Sequence, residues 1–150
     1  MGNNHETKAF LHTSVLFAGI WSPKGGARLI LKLAEARVVQ LFACPQVLDE
    51  IEKVLRRKAP GALGSLALLL DRSGLTLVSA PRQETVKRAS AWESHLGDAQ
   101  VIAAAWEKDV DYFITLDRKH FIDNLDLRNA SPFPIGAPGD FLAWLRARLA

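Results

Sequence analysis

Two aspartates in the second half of the chain, Asp98 and Asp117, have a spacing that predicts a shared site. Both lie in the stretch GDAQVIAAAWEKDVDYFITLDRKHF, residues 97–121. Asp98 begins a predicted helix that rises ~1.5 Å per residue, and the strand that follows it returns at ~3.3 Å per residue. Each path covers about 15 Å, which brings Asp117 back to the level of Asp98. Two acids that meet beyond the end of a strand are typical of a metal site.

The helical periodicity places Asp98 on an apolar stripe, facing the protein interior. The stripe is formed by Val101, Ile102 and Ala105. A carboxylate that faces the core needs a cation, a set of hydrogen bonds or a role at the helix N-terminus. An N-cap or first-turn aspartate, stabilised by the helix dipole, is the alternative to a metal ligand.

A third acid, Glu50, lies on a helix predicted to begin at Pro45. The buried face of that helix is defined by Val47, Leu48, Ile51, Val54 and Leu55. Glu50 lies at the border of this face and can reach the sheet edge, whereas Asp49 points to solvent; an ordinary flanking acid is the alternative. Three acids at one edge repel one another unless a cation lies between them, and carboxylate oxygens favour Mg²⁺ or Mn²⁺.

The elements that would position these acids alternate between strand and helix. Strands are predicted at residues 8–12, 38–43, 75–79 and 112–115, with a short fifth at 132–135. Helices are predicted at residues 15–21, 23–37, 45–58, 62–72, 82–94, 98–108 and 140–149. This pattern indicates an α/β fold with a mainly parallel sheet covered on both faces. The functional crevice of such a sheet lies beyond the carboxyl ends of its strands, where His12 and Asp117 fall.

Composition narrows the class of protein. The chain has 150 residues, 49% of them hydrophobic, and a formal net charge of +3. These values fit one globular domain, residues 1–150, and permit a nucleic-acid partner without requiring one. The single cysteine, Cys44, excludes an intrachain disulfide and a cysteine-based zinc site. We expect a cytoplasmic protein without membrane contact, because neither a signal peptide nor an apolar run of membrane-spanning length is present.

Four segments, by their order and spacing, give the chain a resemblance to the PIN-domain family, in particular to VapC-like toxins of prokaryotic toxin–antitoxin pairs. They are FLHTSVLFAGIWSPKG, CPQVLDEIEKVLRR, GDAQVIAAAWEKDVDYFITLDRKHF and PFPIGAPGDFLAWL. The resemblance implies a three-layer α/β/α fold and a metal-dependent endoribonuclease with an RNA substrate, a cognate antitoxin and a homodimeric state. By position, Glu50, Asp98 and Asp117 match metal-binding acids of the family. Thr115 matches the hydroxyl residue that the family often has two positions before the last of these acids, and Ser14 matches a small polar residue near the family's first acid.

His12 is a large departure from the family pattern, which has an aspartate at the end of the first strand. Imidazole is a poor ligand for Mg²⁺ and a better one for Mn²⁺, Zn²⁺ or Ni²⁺. Three explanations follow: a weakened or inactive homologue, a softer metal with His12 as a ligand, or an introduced substitution that disarms a nuclease.

Several other residues are candidates for contact with RNA. Lys24, Arg118 and Lys119 lie near the proposed edge and could bind phosphate, and Trp21 could stack on a base. His95 and His120 flank the acids but form no zinc signature, so we interpret them as solvent-exposed or capping residues.

Two other functions are compatible with the sequence. One is a catalytically silent PIN domain that binds RNA or a partner protein. The other is a Rossmann-like small-molecule binder, which is disfavoured because no glycine-rich phosphate loop follows the first strand.

Overall fold

A five-stranded parallel sheet forms the centre of the fold. The computed structural model describes residues 6–150. The strands are β1 (Thr7–Leu11), β2 (Val39–Ala43), β3 (Thr76–Leu77), β4 (Tyr112–Ile114) and β5 (Ile135–Gly136). Their order is β3-β2-β1-β4-β5, and each neighbouring pair is parallel. The predicted α/β fold with a parallel sheet is therefore confirmed.

Eight α-helices lie between and after these strands in residues 6–150. They are α1 (Thr13–Trp21), α2 (Gly26–Glu35), α3 (Pro45–Lys58), α4 (Leu63–Ser73), α5 (Gln83–Ser90), α6 (Leu96–Lys108), α7 (Leu125–Ala130) and α8 (Pro138–Leu149). A 3₁₀ turn at Pro60–Ala62 precedes α4, and a π-helical turn at Arg118–Ile122 follows β4. None of the helices in residues 6–150 combines the length and the apolar character needed to cross a membrane.

The structure moves several boundaries that the sequence predicts. The helix expected to begin at Pro23 begins at Gly26, after Gly25 in an extended conformation, because glycine is unfavourable inside a helix. The third strand is limited to Thr76–Leu77, an exposed edge of the sheet, and the fifth begins at Ile135. The π-helical turn and α7 were not predicted. The absence of a signal peptide was inferred in part from residues 1–5, which lie outside the described residues.

Burial of both faces of the sheet explains why the sequences of the central strands are continuous apolar runs. Ala9, Phe10 and Leu11 of β1 are each fully buried, so both faces of this strand are covered. Phe10 stacks on Phe113 of β4, with ring centroids 5.7 Å apart. This packing holds the two central strands rigidly beside each other.

The register of these two strands brings His12 and Thr115 together at the carboxyl edge. Leu11 of β1 pairs with Ile114 of β4, and the backbone N–H of His12 donates to the carbonyl of Ile114 at 3.0 Å. The residue that follows β4 is Thr115, which is fully buried. Two adjacent parallel strands therefore end with polar side chains that face the same crevice.

A hydrogen-bonded glutamate, Glu107, fastens α5 to α6. Its carboxylate accepts hydrogen bonds from the hydroxyl of Thr85, which is buried, and from the backbone N–H and Nε of Arg82 at 3.1 and 3.2 Å. The hydrogen bond from Thr85 is the main cause that holds the pKa of Glu107 below its ordinary value of 4.5. Because the folded-state pKa is depressed, the charged form stabilises the fold above the unfolded value and this contribution is lost as pH falls.

We predict that Glu107→Gln lowers the free energy of unfolding at neutral pH and that its effect shrinks on acidification through the folded-state pKa of Glu107. The reason is that the wild-type side chain also loses its charge there. Urea denaturation of both proteins, from neutral pH to below the ordinary glutamate value of 4.5, measures this. A difference that stays constant over this range would contradict the assignment.

Candidate active site

The carboxylate of Asp98 is the centre of a cluster of three imidazole rings. His12 Nε2 lies 3.4 Å from Asp98 Oδ1, and the Nδ1 atoms of His95 and His120 lie 3.0 and 3.4 Å from Oδ2. The Asp98 side chain is only 11% exposed. It lies in the first turn of α6 and faces inward, as the helical periodicity predicts. A charged carboxylate that is buried in this way is costly unless neighbouring rings donate protons to it or a cation neutralises it.

The hydrogen bonds of His12 favour one neutral tautomer. Its Nδ1 lies 2.9 Å from the hydroxyl of Ser14 and 3.1 Å from that of Thr115. Each of these hydroxyl oxygens already accepts a backbone N–H, from Leu116 and Asp117 respectively. Each hydroxyl can donate its proton to Nδ1, and with Nδ1 as the acceptor the ring proton lies on Nε2, which faces Asp98. In this tautomer His12 offers no lone pair to a cation beside Asp98.

Asp117 and His120 form a tight pair on the π-helical turn. Asp117 Oδ1 accepts the backbone N–H of His120 at 3.0 Å, and Oδ2 lies 2.9 Å from the ring nitrogen Nδ1. Burial alone would raise the pKa of Asp117, but these hydrogen bonds from His120 outweigh it and hold the pKa below 3.8. In turn, the hydrogen bond to Asp117 raises the pKa of His120 above 6.5. Since the same Nδ1 also contacts Asp98, this ring connects the two predicted acids.

His95 occupies the N-cap of α6, where its Nδ1 has two competing neighbours. The backbone N–H of Asp98 donates to Nδ1 at 3.3 Å, and Asp98 Oδ2 lies 3.0 Å from the same atom. A nitrogen that accepts the N–H has no proton for the carboxylate, and two lone pairs at that distance repel. The side chain is 62% exposed, so the predicted capping and exposed character is present, together with an unpredicted contact to Asp98.

Glu93 is a buried acid that the sequence did not single out. The residue is 4% exposed, and its carboxylate accepts the backbone N–H of His95 at 2.9 Å and a longer bond of 3.4 Å from Asn124. Within residues 6–150, no lysine, arginine or histidine nitrogen lies within 4.0 Å of it. One ligand atom each from Glu93, Asp98 and His120 lies within 4.8 Å of the others.

Glu50 faces the same edge of the sheet from α3. Its Oε2 accepts the hydroxyl of Thr13 at 3.0 Å, and its Oε1 accepts the side-chain amide of Gln46 at 3.1 Å. The same amide donates to the carbonyl of Gly97 at 3.2 Å, next to Asp98. Glu50 is thus oriented toward the start of α1 and the first turn of α6, but it is not part of the compact set of Glu93, Asp98 and His120.

The three cations predicted to bind phosphate are exposed. Lys24 lies in the turn before α2, and Arg118 and Lys119 begin the π-helical turn. Arg118 also pairs with Asp123 at 3.1 Å, across two side chains that are more than half exposed. Trp21 is 62% exposed and stacks on Phe17, with ring centroids 5.8 Å apart, so its outer face is accessible.

The structure brings together Asp98, Asp117, His12, Thr115 and Ser14, all of which the sequence predicts. It adds Glu93 and the direct contacts of His95 and His120 to Asp98. The available signal was histidine count: three of the four histidines in the chain flank predicted acids or strand ends. The histidine cluster shows no fixed zinc-binding spacing in the sequence, because its rings come from three separate segments.

We predict that His12→Asp destabilises the metal-free protein by about 1 to 2 kcal/mol, since it places a second carboxylate beside Asp98. A divalent cation should restore the loss by binding the folded state. Urea denaturation in a chelator and then in Mn²⁺ measures both effects, with His12→Asn as an uncharged control of similar size. A His12→Asp protein as stable as His12→Asn in the chelator would contradict the prediction.

Comparisons with known proteins agree with this architecture. The family model described as PIN domain matches residues 8–119. No curated protein sequence matches the chain. Two solved structures cover most of it: PAE2754 from Pyrobaculum aerophilum, with a TM-score of 0.63 and 16% identity, covers 94% of this chain and 90% of its own. VapBC2 from Rickettsia felis, bound to a DNA fragment from its promoter, has a TM-score of 0.61 and 14% identity, and the match covers 87% of this chain and 97% of its own.

A third structure, the sarcin-ricin loop cleaving toxin VapC20 of Mycobacterium tuberculosis, has a TM-score of 0.54 and 17% identity. The match covers 75% of this chain and 92% of that one. At these identities the solved structures show a shared fold, and the family model adds a sequence match over most of the chain. The chain therefore belongs to the PIN-domain family.

Proposed function

We propose that this chain is a divalent-metal-dependent endoribonuclease and the toxin component of a toxin–antitoxin pair. The observation that carries the proposal is the meeting of Asp98 and Asp117 at the carboxyl edge of the parallel sheet, through the ring of His120. Family membership supports it, as does the fold shared with VapC20, a toxin that cleaves the sarcin-ricin loop. We treat residues 1–150 as one PIN-like domain that acts in the cytoplasm.

Asp98 and Asp117 are the proposed cation ligands, with Glu50 as a third acid toward α1. The donor set fits a divalent cation, because the buried carboxylate of Asp98 and the partly exposed carboxylate of Asp117 converge on His120 without a lysine or arginine to neutralise them in residues 6–150. When bound, such a cation supplies an activated water and neutralises charge on the phosphoryl oxygens.

The other residues position the acids and the RNA. The hydroxyl of Thr115 accepts the backbone N–H of Asp117 at 3.0 Å and thereby fixes the chain at the start of the π-helical turn. Ser14 holds Leu116 in the same way. Lys24, Arg118 and Lys119 would bind the RNA backbone at the exposed rim, and the free face of Trp21 would stack on an unpaired base.

His12 lowers the negative charge of this site and weakens its fit to Mg²⁺. Its ring stands at the end of β1 and contacts Asp98, in place of the acid that the family pattern has there. We therefore expect slow cleavage, and we expect Mn²⁺ to support it better than Mg²⁺, since His120 contacts both proposed ligand acids and Mn²⁺ accepts imidazole more readily.

A second candidate function is a catalytically silent PIN domain that binds RNA or a partner protein. The contacts of His12 favour this function, because its ring nitrogens already have polar partners in Ser14, Thr115 and Asp98 without any cation. The two candidates share the RNA-binding rim and differ in whether a phosphodiester is cut.

The partners proposed for this chain are an RNA substrate, a cognate antitoxin and a second copy of the chain. Support for an antitoxin comes from the similarity to VapBC2, whose structure contains a toxin–antitoxin complex on promoter DNA. The RNA substrate and homodimer follow from the family resemblance.

We predict that Asp117→Asn lowers the RNA cleavage rate in Mn²⁺ by about 100-fold or more, because it removes a charged ligand of the cation. The measurement is cleavage of a structured RNA oligonucleotide by the full chain, with Mg²⁺, Mn²⁺ or a chelator. Asp49→Asn is the matched control: Asp49 is an exposed acid paired with Lys53 on the surface of α3, and its loss should leave the rate unchanged.

His12→Asp separates the two candidates. If the site is a weakened nuclease, the variant should cut RNA faster than the wild type in Mg²⁺, because it restores an oxygen ligand. Absence of cleavage by both the wild type and His12→Asp, together with retained RNA binding, would favour the silent PIN domain.

A further inference from the structure

Imidazole groups, as well as acids, surround the proposed cation site. Every histidine in residues 6–150 places a ring nitrogen within 3.4 Å of the Asp98 carboxylate. The three rings come from the end of β1, the N-cap of α6 and the π-helical turn. A hard cation such as Mg²⁺ prefers oxygen ligands and retains water, so such a set of neighbours is not suited to it.

Only part of this cluster is free to bind a cation. His12 is held through Nδ1 by two hydroxyl groups, and it does not belong to the compact set of Glu93, Asp98 and His120. His120 points Nδ1 at both Asp98 and Asp117, and a cation bound there would displace the proton that this nitrogen shares with Asp117. Its ligand atom lies within 4.8 Å of ligand atoms on Asp98 and Glu93.

Glu93 provides an independent reason to expect a cation. A buried carboxylate is costly unless a positive charge compensates it. Glu93 is 96% buried, receives one short backbone hydrogen bond, and has no basic nitrogen within 4.0 Å among the described residues. The conflict at His95 Nδ1, which both accepts an N–H and faces Asp98 Oδ2 at 3.0 Å, is relieved by the same positive charge.

From these observations we infer that Glu93, Asp98 and His120 form a site for a first-row transition-metal dication of the Zn²⁺ and Co²⁺ type. Two donors on one tetrahedral zinc lie about 3.3 Å apart, given metal–ligand distances of ~2.0–2.2 Å. The separation of His120 Nδ1 and Asp98 Oδ2, at 3.4 Å, is of this size, and the ligand atom of Glu93 lies within 4.8 Å of those of the other two residues. One histidine and two carboxylates suit these ions, which bind such mixed sites in the order given by the Irving–Williams series.

The inference rests on the proposed function only in sharing Asp98, and it assigns a different ligand set. A site built from acids alone would use Glu50 and Asp117. The set inferred here excludes Glu50 and includes Glu93 and His120, neither of which the sequence predicts as a ligand.

The test is Co²⁺ binding to the metal-free full chain, followed by its visible absorption bands and by thermal unfolding, with no RNA present. We expect binding with a ligand-field spectrum that Zn²⁺ abolishes in competition and that excess Mg²⁺ does not. His120→Gln should weaken Co²⁺ binding by about 10-fold or more, and Glu93→Gln by a similar factor.

Asp49→Asn is the matched control, because Asp49 is an exposed acid paired with Lys53 on the surface of α3, and its loss should leave the Co²⁺ affinity unchanged. If Glu93→Gln fails to fold, Co²⁺ binding by His120→Gln tests the inference, because the partly exposed ring of His120 can be replaced without unfolding the protein. Displacement of Co²⁺ by Mg²⁺ at equal concentration, or loss of affinity in Glu50→Gln but not in His120→Gln, would overturn the inference.

These outcomes are independent of RNA cleavage. Co²⁺ binding through His120 in a protein that does not cut RNA would support the metal site and contradict the proposed nuclease. RNA cleavage with Mg²⁺ as the only cation, at a rate that His120→Gln does not change, would support the proposed nuclease and contradict the metal site.

Discussion

The burial of the Asp98 carboxylate is the constraint on which the rest of the site depends. The sheet and α6 place this group at the carboxyl edge with 11% of its side chain exposed, where a lone negative charge is costly. Three rings and the π-helical turn are arranged around it. The fold thus stabilises a charge that only protons or a cation can neutralise.

Much of this arrangement follows from local sequence rules. The parallel sheet was predictable, because short apolar strands between helices require two covered faces. The meeting of Asp98 and Asp117 was predictable from the rise per residue of one helix and one strand. Thr115 and Ser14 were identified from their positions in the family pattern, and the structure gives them a physical role as hydroxyl partners of His12.

The other features of the site depend on tertiary contacts that no local sequence pattern encodes. Glu93 lies in the turn before α6 and looks like a solvent-exposed acid in the sequence, yet packing leaves it 4% exposed. His120 faces Asp98 because the five-residue π-helical turn rotates its ring inward, and α-helical spacing gives no sign of such a turn. His12 could be recognised as a departure, but its tautomer follows only from the hydroxyls around it.

His12 stands where the family pattern has an aspartate, and His95 and His120 also contact Asp98. The groups around the Asp98 carboxylate therefore include three imidazole rings. The most direct measurement is anomalous diffraction from crystals grown with Co²⁺, recorded above and below the cobalt absorption edge. We predict one strong anomalous peak in contact with Asp98, His120 and Glu93. A peak that contacts Asp117 and Glu50 but not His120 would contradict the inferred transition-metal site and support only the ligands of the proposed nuclease, and the absence of a peak near Asp98 would contradict both.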